Sequence, residues 1–276
     1  MKAQRNSPVL LVSDLPSWGR VALASAIPLI EAAGFQACAL PTALLSTHGA
    51  YPGFALEPQS RFLEAAWRHL KTLDLRFAGV VIGFVGELQQ FPVLKEIAAT
   101  VKAGGGLVLV DPILGDNGRR YGLFHDDYVP AFRSLLKHAD VITPNATEAA
   151  LLLDLASDAL PQSMAETERW TRALAELGPG RVVLTSAPFF DKPGTTGVAW
   201  YDRAAGRFGT VDHARLEGGL PGTGDALAAR LFTGLLKGRS FAVAVGHAVR
   251  RTLSDFKRSR VSGSPALWGL RGPLKP

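Results

Sequence analysis

Short apolar runs separated by amphipathic stretches recur from residue 8 to residue 185, and this alternation leaves few folds open to the chain. Residues 8–13 (PVLLVS), 35–40, 79–84 (GVVIGF), 107–111 (LVLVD), 141–143 and 182–185 are rich in β-branched residues and nearly continuous in apolar character. Strands of that kind are buried on both faces. Between them, residues 18–33, 58–73, 94–103, 129–138, 146–153 and 165–177 place apolar side chains at helical spacing. Within 58–73, for example, Phe62, Leu63, Ala66, Trp67 and Leu70 share a face. The pattern predicts an α/β fold of three layers, with a mostly parallel central sheet and helices on both faces. After residue 186 the rhythm changes. Residues 197–201 and 207–211 flank a hairpin turn, and helices follow over 225–236 and 241–256. The Thr/Ser/Gly/Pro/Tyr-rich segment 42–56 is long for a connection, which marks it as a small flap or binding loop. Residues 1–257 read as one domain, and 258–276, rich in Gly, Pro, Ser and Arg, as a loosely packed tail.

Composition narrows the partners. The 276 residues are 47% apolar and 20% charged, with a net charge of +6. Lys and Arg are spread thinly, and the densest group is Lys257, Arg258 and Arg260. That reads as a basic surface, and no nucleic acid partner is expected. The lone cysteine, Cys38, can build neither an internal disulfide nor a Cys-based metal site, and reads as a buried small hydrophobe. The N-terminal apolar run is too short for a signal peptide, and no stretch is long enough to span a bilayer. A cytoplasmic protein with no membrane partner is the expectation.

Four segments carry chemistry. In GGLPGTGDALAARLFTGLL, Gly222, Thr223, Gly224 and Asp225 run into a helix. Free amides at a helix start favour an anion, whereas Asp there is also an ordinary N-cap. An anion hole beside a carboxylate suits phosphoryl transfer to an alcohol, with the carboxylate taking the hydroxyl proton. No GxxxxGK[ST] sequence is present. In VLVDPILGDNGRRYG, Asp111 ends a strand and Asp116 lies in a turn. Two carboxylates beyond strand ends suit a hydrated Mg²⁺, although Asp-Pro and Asp-Asn-Gly are also plain turn formers. In ADVITPNATEAALL, Asn145 and Glu148 form either a ligand pair or a capping box. In VVLTS, Thr185 and Ser186 end a strand.

Together these blocks resemble the pyridoxal/pyridoxamine kinase family of the ribokinase superfamily. The residues that carry the resemblance are SDLPSWGRVALASAIPLIEAAGF with PTALLSTHGAYPGF, DPILGDNGRRY, ITPNATEAALL and LPGTGDALAARLFTGLLKG, in order, between residues 8 and about 256. The first two of the acidic motifs, DPxxGD and TPNxxE, are shared with hydroxymethylpyrimidine kinases. Those relatives usually carry Cys where this chain has Asp225, which favours the vitamin B6 reading.

The resemblance implies a ribokinase-like kinase that transfers phosphate from ATP to the 5'-hydroxymethyl group of pyridoxal, pyridoxine or pyridoxamine. The alternatives are a hydroxymethylpyrimidine-type kinase and a catalytically silent B6-binding or regulatory protein. By the same resemblance, Asp225 is the base and Gly222, Thr223 and Gly224 form the anion hole. Asp111, Asp116 and Glu148 organise Mg²⁺, partly through water, with a monovalent cation as a further expectation. Asn145, Glu148, Thr185 and Ser186 face the nucleotide. Ser13, Asp14, Thr42 and Phe84 line the substrate-ring pocket, and Ser46, His48 and Tyr51 lie in the flap. A homodimer is expected. The chain departs from the family at Asp14 and Leu15, at Trp18-Gly19-Arg20 in place of a Gly-rich turn, and at Thr47, so the vitamer pocket is altered while the catalytic residues stay.

Overall fold

The structure is a computed structural model and describes residues 7–189, 192, 194–216, 218–261 and 266–271. Its centre is a nine-stranded sheet. In chain order the elements are β1 (Val9–Trp18), α1 (Ala22–Ala32), β2 (Ala37–Thr47), β3 (Leu56–Pro58), α2 (Ser60–Thr72), β4 (Gly79–Ile82), α3 (Phe91–Ala103) and β5 (Leu107–Val110). Then come β6 (Gly115–Asp116), β7 (Arg119–Arg120), α4 (Tyr128–Leu136), β8 (Val141–Ile142), α5 (Ala146–Leu152) and α6 (Met164–Glu176). The chain continues with β9 (Arg181–Pro188), β10 (Thr195–Asp202), β11 (Arg207–Ala214), α7 (Thr223–Leu236) and α8 (Phe241–Val261). The sheet order is β11-β10-β9-β8-β5-β4-β1-β2-β3, and β6 pairs with β7 apart from it. The pairings from β9 through to β2 are parallel; β3, β10 and β11 join antiparallel at the two edges.

Strand alternation builds two cores. Leu10, Val12, Val80, Ile82, Val108 and Val110 point to one face and pack with Leu63 and Trp67 of α2, Ile97 of α3, Phe132 of α4 and Leu174 of α6. Val9, Leu11, Leu109, Val141 and Val183 point to the other, against Leu23 and Ile30 of α1, Leu231 and Phe232 of α7 and Val245 of α8. Burial of each such side chain contributes about 1.5–3 kcal/mol. Cys38 is half-buried against the first core, a little more open than its sequence context predicts.

The structure corrects the sequence reading in three places. The first strand does not stop at Ser13; β1 runs on to Trp18, in parallel register with β2 from Val9↔Ala37 to Trp18↔Thr47. Helix α1 accordingly begins at Ala22 instead of residue 18. Asp, Pro and Ser favour turns locally, but a paired neighbour outweighs that preference. Pro16 is tolerated because β1 pairs with β4 only from Val9 to Val12, so no sheet bond is lost on that side. The flap is likewise partly strand. Thr42 to Thr47 belong to β2, and Ala43, Leu44 and Leu45 pair with β3, which leaves a short connection at 48–55. Third, the boundary drawn at 257/258 falls inside α8, and the segment beyond is docked. Arg20 N–H donates to Trp268 O at 3.0 Å, Leu270 N–H donates to Pro221 O at 2.9 Å, and Leu270 is buried. Residues 262–265 and 272–276 of the expected tail lie outside the described residues.

Candidate active site

The carboxyl ends of the parallel strands open onto one cavity of about 480 Å³. Gly222, Thr223, Gly224 and Asp225 line it from the start of α7. Gly222 caps that helix with φ 83°, a left-handed conformation that glycine adopts without cost. A Cβ there would lie 2.1 Å from the Arg20 carbonyl oxygen, so the segment before α1 can approach the turn only because the position is glycine. The first amides of α7 have no partner within the helix and carry the positive end of its dipole. Asp225, in this first turn, is pushed above the usual carboxylate range by burial, while an N–H from Ala22 pulls it back down.

Asp111, just past β5, receives the Thr143 Oγ1–H at 2.8 Å. Burial first, and then the charge of Asp225, push it up to about 7. Asn145 and Glu148 form the capping box of α5. Asn145 Oδ1 accepts from Glu148 N–H at 2.9 Å, and Glu148 Oε2 accepts from Asn145 N–H at 2.8 Å. The second Glu148 oxygen accepts from Leu114 N–H at 3.3 Å. Burial and Asp111 hold Glu148 well above its ordinary value. The capping reading and the ligand reading therefore describe one residue, because the capped carboxylate still lines the cavity. Asp116 lines it too, from the exposed end of the β6–β7 hairpin. Asn117 and Gly118 turn that hairpin with φ 52° and 76°. Thr185 and Ser186 line the opposite wall; they lie within β9, which continues to Pro188, and are not its end.

The remaining four candidates lie elsewhere. Ser13 Oγ accepts Phe84 N–H at 3.1 Å and donates to Asp14 at 3.2 Å. Thr42 Oγ1 donates to Phe84 O at 2.7 Å and is fully buried. Both hydroxyls thus hold the peptide of Phe84, whose ring packs at 5.5 Å from that of Phe124. Asp14 is buried, and burial first, then Asp225, raise it to about 7. The charge of Asp225 raises Asp14 and Asp111 alike. Above this second group, Trp18 Nε1–H donates to Tyr51 in the flap at 3.2 Å, and His48 stacks edge-on with Tyr51 at 5.0 Å.

Sequence reasoning missed several lining residues. Thr143 and Tyr121 face the acidic groups, and burial with the nearby Glu148 charge raises the Tyr121 phenol. His213 and Arg215 line the cavity from β11 and just beyond it, while Leu227, Val249, Leu253 and Phe256 supply an apolar wall from α7 and α8. Apart from Leu227, no motif marks these, since they meet only when α8 packs against β10 and β11.

Known proteins resemble the whole chain. A family model described as phosphomethylpyrimidine kinase matches residues 27–263. A pyridoxine/pyridoxal/pyridoxamine kinase of Bordetella bronchiseptica is 29% identical over 280 residues, which cover 97% of this chain and 94% of that one. A Bacteroides thetaiotaomicron protein assigned to the phosphomethylpyrimidine kinases, solved in a crystal form with pyridoxal, superposes with a TM-score of 0.91 at 32% identity, over 96% of this chain and 92% of that one. The pyridoxal kinase of Lactobacillus plantarum superposes with a TM-score of 0.84 at 32% identity, over 96% and 93%. The chain belongs to the phosphomethylpyrimidine kinase family, with the ribokinase-like fold of its pyridoxal kinase relatives.

Proposed function

We propose that the chain is an ATP-dependent kinase that phosphorylates the 5'-hydroxymethyl group of a vitamin B6 compound. One observation carries the reading. Asp225 is a half-buried carboxylate in the first turn of α7 that lines the cavity together with Asp111, Asp116 and Glu148, and its charge raises both Asp111 and Asp14. A primary alcohol held there meets a base on one side and an anion hole on the other. Asp225 takes the hydroxyl proton onto its carboxylate as the oxygen attacks the γ-phosphoryl group in line. The Gly222, Thr223 and Gly224 amides stabilise the charge that develops on the transferred group. Asn145, Thr185 and Ser186 face the nucleotide phosphates, and the apolar wall from α7 and α8 suits a nucleobase. Ser13 and Thr42 position Phe84 against the pyridine ring, beside Asp14.

A cation fits this site. Asp111 and Glu148 are buried, and neither pairs with a cationic side chain among the described residues. Those residues contain no group of three His, Cys, Asp or Glu close enough to cage an ion directly. Few direct ligands and several waters suit Mg²⁺. Asp111, Asp116 and Glu148 would hold it partly through water, and it would neutralise charge on the nucleotide phosphates. A monovalent cation would use the same carboxylate-rich wall. The assembly we propose is a homodimer, supported by exposed Leu15, Trp18 and Leu44 along the extended β1–β2 pair. Light scattering then gives about twice the 29.4 kDa of the chain. No helix among the described residues is long and apolar enough to cross a membrane. A cytoplasmic location is part of the proposal, on the ground of the single thiol.

A coupled ATPase assay against pyridoxal, pyridoxine, pyridoxamine and hydroxymethylpyrimidine tests the reading. Turnover with at least one B6 vitamer, exceeding that with hydroxymethylpyrimidine, is the expected result. Preference for the pyrimidine moves the assignment to the second kinase class, and binding without turnover moves it to a silent B6-binding protein.

A further inference from the structure

A second cavity, of about 210 Å³, opens where the C-terminal end of α1 meets α7 and α8. It shares no lining residue with the first. Its ionisable lining is Arg230, Lys237, Arg239, His247 and Arg251, and no carboxylate lines it. Leu29, Ala32 and Ala33 form its apolar floor.

Part of the positive charge here, that of Arg239 and Arg251, has no carboxylate partner among the described residues. Buried Arg230 donates to Thr252 Oγ1 at 3.2 Å and to the Asp255 carboxylate. Asp255 also pairs with Arg258, so one buried carboxylate serves two guanidinium groups. The side chains of Arg239 and Arg251 make no hydrogen bond or ion pair among the described residues. His247 Nδ1 is buried without a hydrogen-bond partner among them. The neighbours confirm the field: Arg230 is pushed down to about 10 by burial and then by Arg251 and Arg258. Burial lowers His247 as well, followed by Arg239, Arg251, Arg250 and Arg230.

Helix dipoles account for only part of this. The C-terminal ends of α1 and α7 both reach the cavity, and cations are favoured there. Lys237 is the C-cap of α7 and answers its dipole, but Arg230 lies in mid-helix and Arg239, His247 and Arg251 lie outside both helices' last turns. An anion entering this concave, carboxylate-free space would meet charge-assisted donors from Arg239 and Arg251.

We propose that this cleft is a second anion-binding site that takes a phosphate group, separate from the site of phosphoryl transfer. Arg239 and Arg251 supply charge-assisted donors, and His247 supplies a ring nitrogen. The volume admits a phosphate and leaves room for part of an ester substituent.

The test uses the full chain and a local reporter. Inorganic phosphate is titrated while the His247 ring signals are followed by NMR, assigned by their loss in His247→Gln. Potassium chloride at matched ionic strength is the control. A second arm uses phenyl phosphate, and tighter binding there identifies an ester, whereas equal binding identifies free phosphate. A saturable shift with phosphate and none with chloride is expected. In Arg239→Gln/Arg251→Gln the affinity falls at least about tenfold, as expected for two lost charge-assisted bonds, and turnover without added phosphate is unchanged. These two side chains are surface-accessible, so the variant keeps its fold, and a thermal melt checks that. Shifts that track ionic strength alone, or an unchanged affinity in the double variant, overturn the proposal and leave the arginines as counter-charges to the ends of α1 and α7. Because the reporter is His247, phosphate in the first cavity does not imitate the result.

Discussion

The two ends of the candidate site are built by different means. The phosphate end uses helix starts and strand ends: the α7 amides, the capped Glu148 and Asp111 past β5. Each of these is a short motif whose chemistry is local, and each side chain lines the cavity directly. The ring end uses the same residue types differently. Ser13 and Thr42, expected to contact the ring, also hydrogen-bond the Phe84 peptide. Its walls are the extension of β1 and β2 beyond the rest of the sheet, with the flap above. A motif therefore names the reaction, whereas substrate choice depends on which side chains the extended strands leave free. Variants at the phosphate end should harm every substrate alike, and variants at the ring end should separate one vitamer from another.

The largest expected effect is at Asp225. Asp225→Asn lowers kcat by about 10²–10⁴, the usual contribution of a positioned base. Nucleotide affinity stays close to normal, because the α7 amides remain. Near-normal turnover, or a loss confined to one vitamer, would break the comparison.

Gly222→Ala comes next. The new Cβ meets the Arg20 carbonyl, and φ 83° strains any L residue. Displacement of the amides should reduce kcat/KM by about 10²–10³, the range for a lost oxyanion donor. Steady-state kinetics with two vitamers would show equal losses. Unequal losses would mean that the Arg20 segment also shapes the ring pocket.

Asp14→Asn is smaller and selective. A carboxylate beside the ring favours a cationic partner, such as the aminomethyl group of pyridoxamine. The variant should lose about tenfold in kcat/KM for pyridoxamine relative to pyridoxal, the effect of one charge-assisted bond. The same variant has a stability signature. The Asp14 pKa rises from 3.8 to about 7 on folding, so the folded state binds the proton more tightly. That contribution is present at acid pH and is lost as pH rises toward 7. Unliganded Asp14→Asn should therefore melt above the native protein at pH 8, and the gap should shrink toward pH 4. A gap independent of pH would show that the carboxylate is not held protonated.

The smallest effect is expected for Thr42→Val. One hydrogen bond to the Phe84 carbonyl is lost, about 1 kcal/mol or roughly fivefold in KM for the vitamer. KM for ATP should not change. A matching rise in KM for ATP would tie Phe84 to the nucleotide end after all.

Much of this molecule was legible before any coordinates. Strand alternation, the helix faces and the Gly222–Asp225 helix start are set by periods of two and 3.6 residues and by the needs of unpaired amides, which act over a few positions. The two cores follow from the same alternation in residues 9–12. Other features were out of reach because their causes lie far along the chain. Residues 14–18 read as the end of a strand and the start of a helix, and they are strand because β2 offers its backbone as partner up to Thr47. The segment after residue 258 reads as loose, and it is docked because Trp268 and Leu270 bond to Arg20 and Pro221. The Ser13 and Thr42 hydroxyls met Phe84 only when β1, β2 and β4 became neighbours, and the basic cleft appeared only when α8 came alongside α7. The sequence by itself determined most of the elements, the layers and the candidate catalytic groups, since these rest on local geometry. Which polar groups stay free for a ligand was decided by the tertiary structure, because a donor or acceptor is available only if no distant partner claims it.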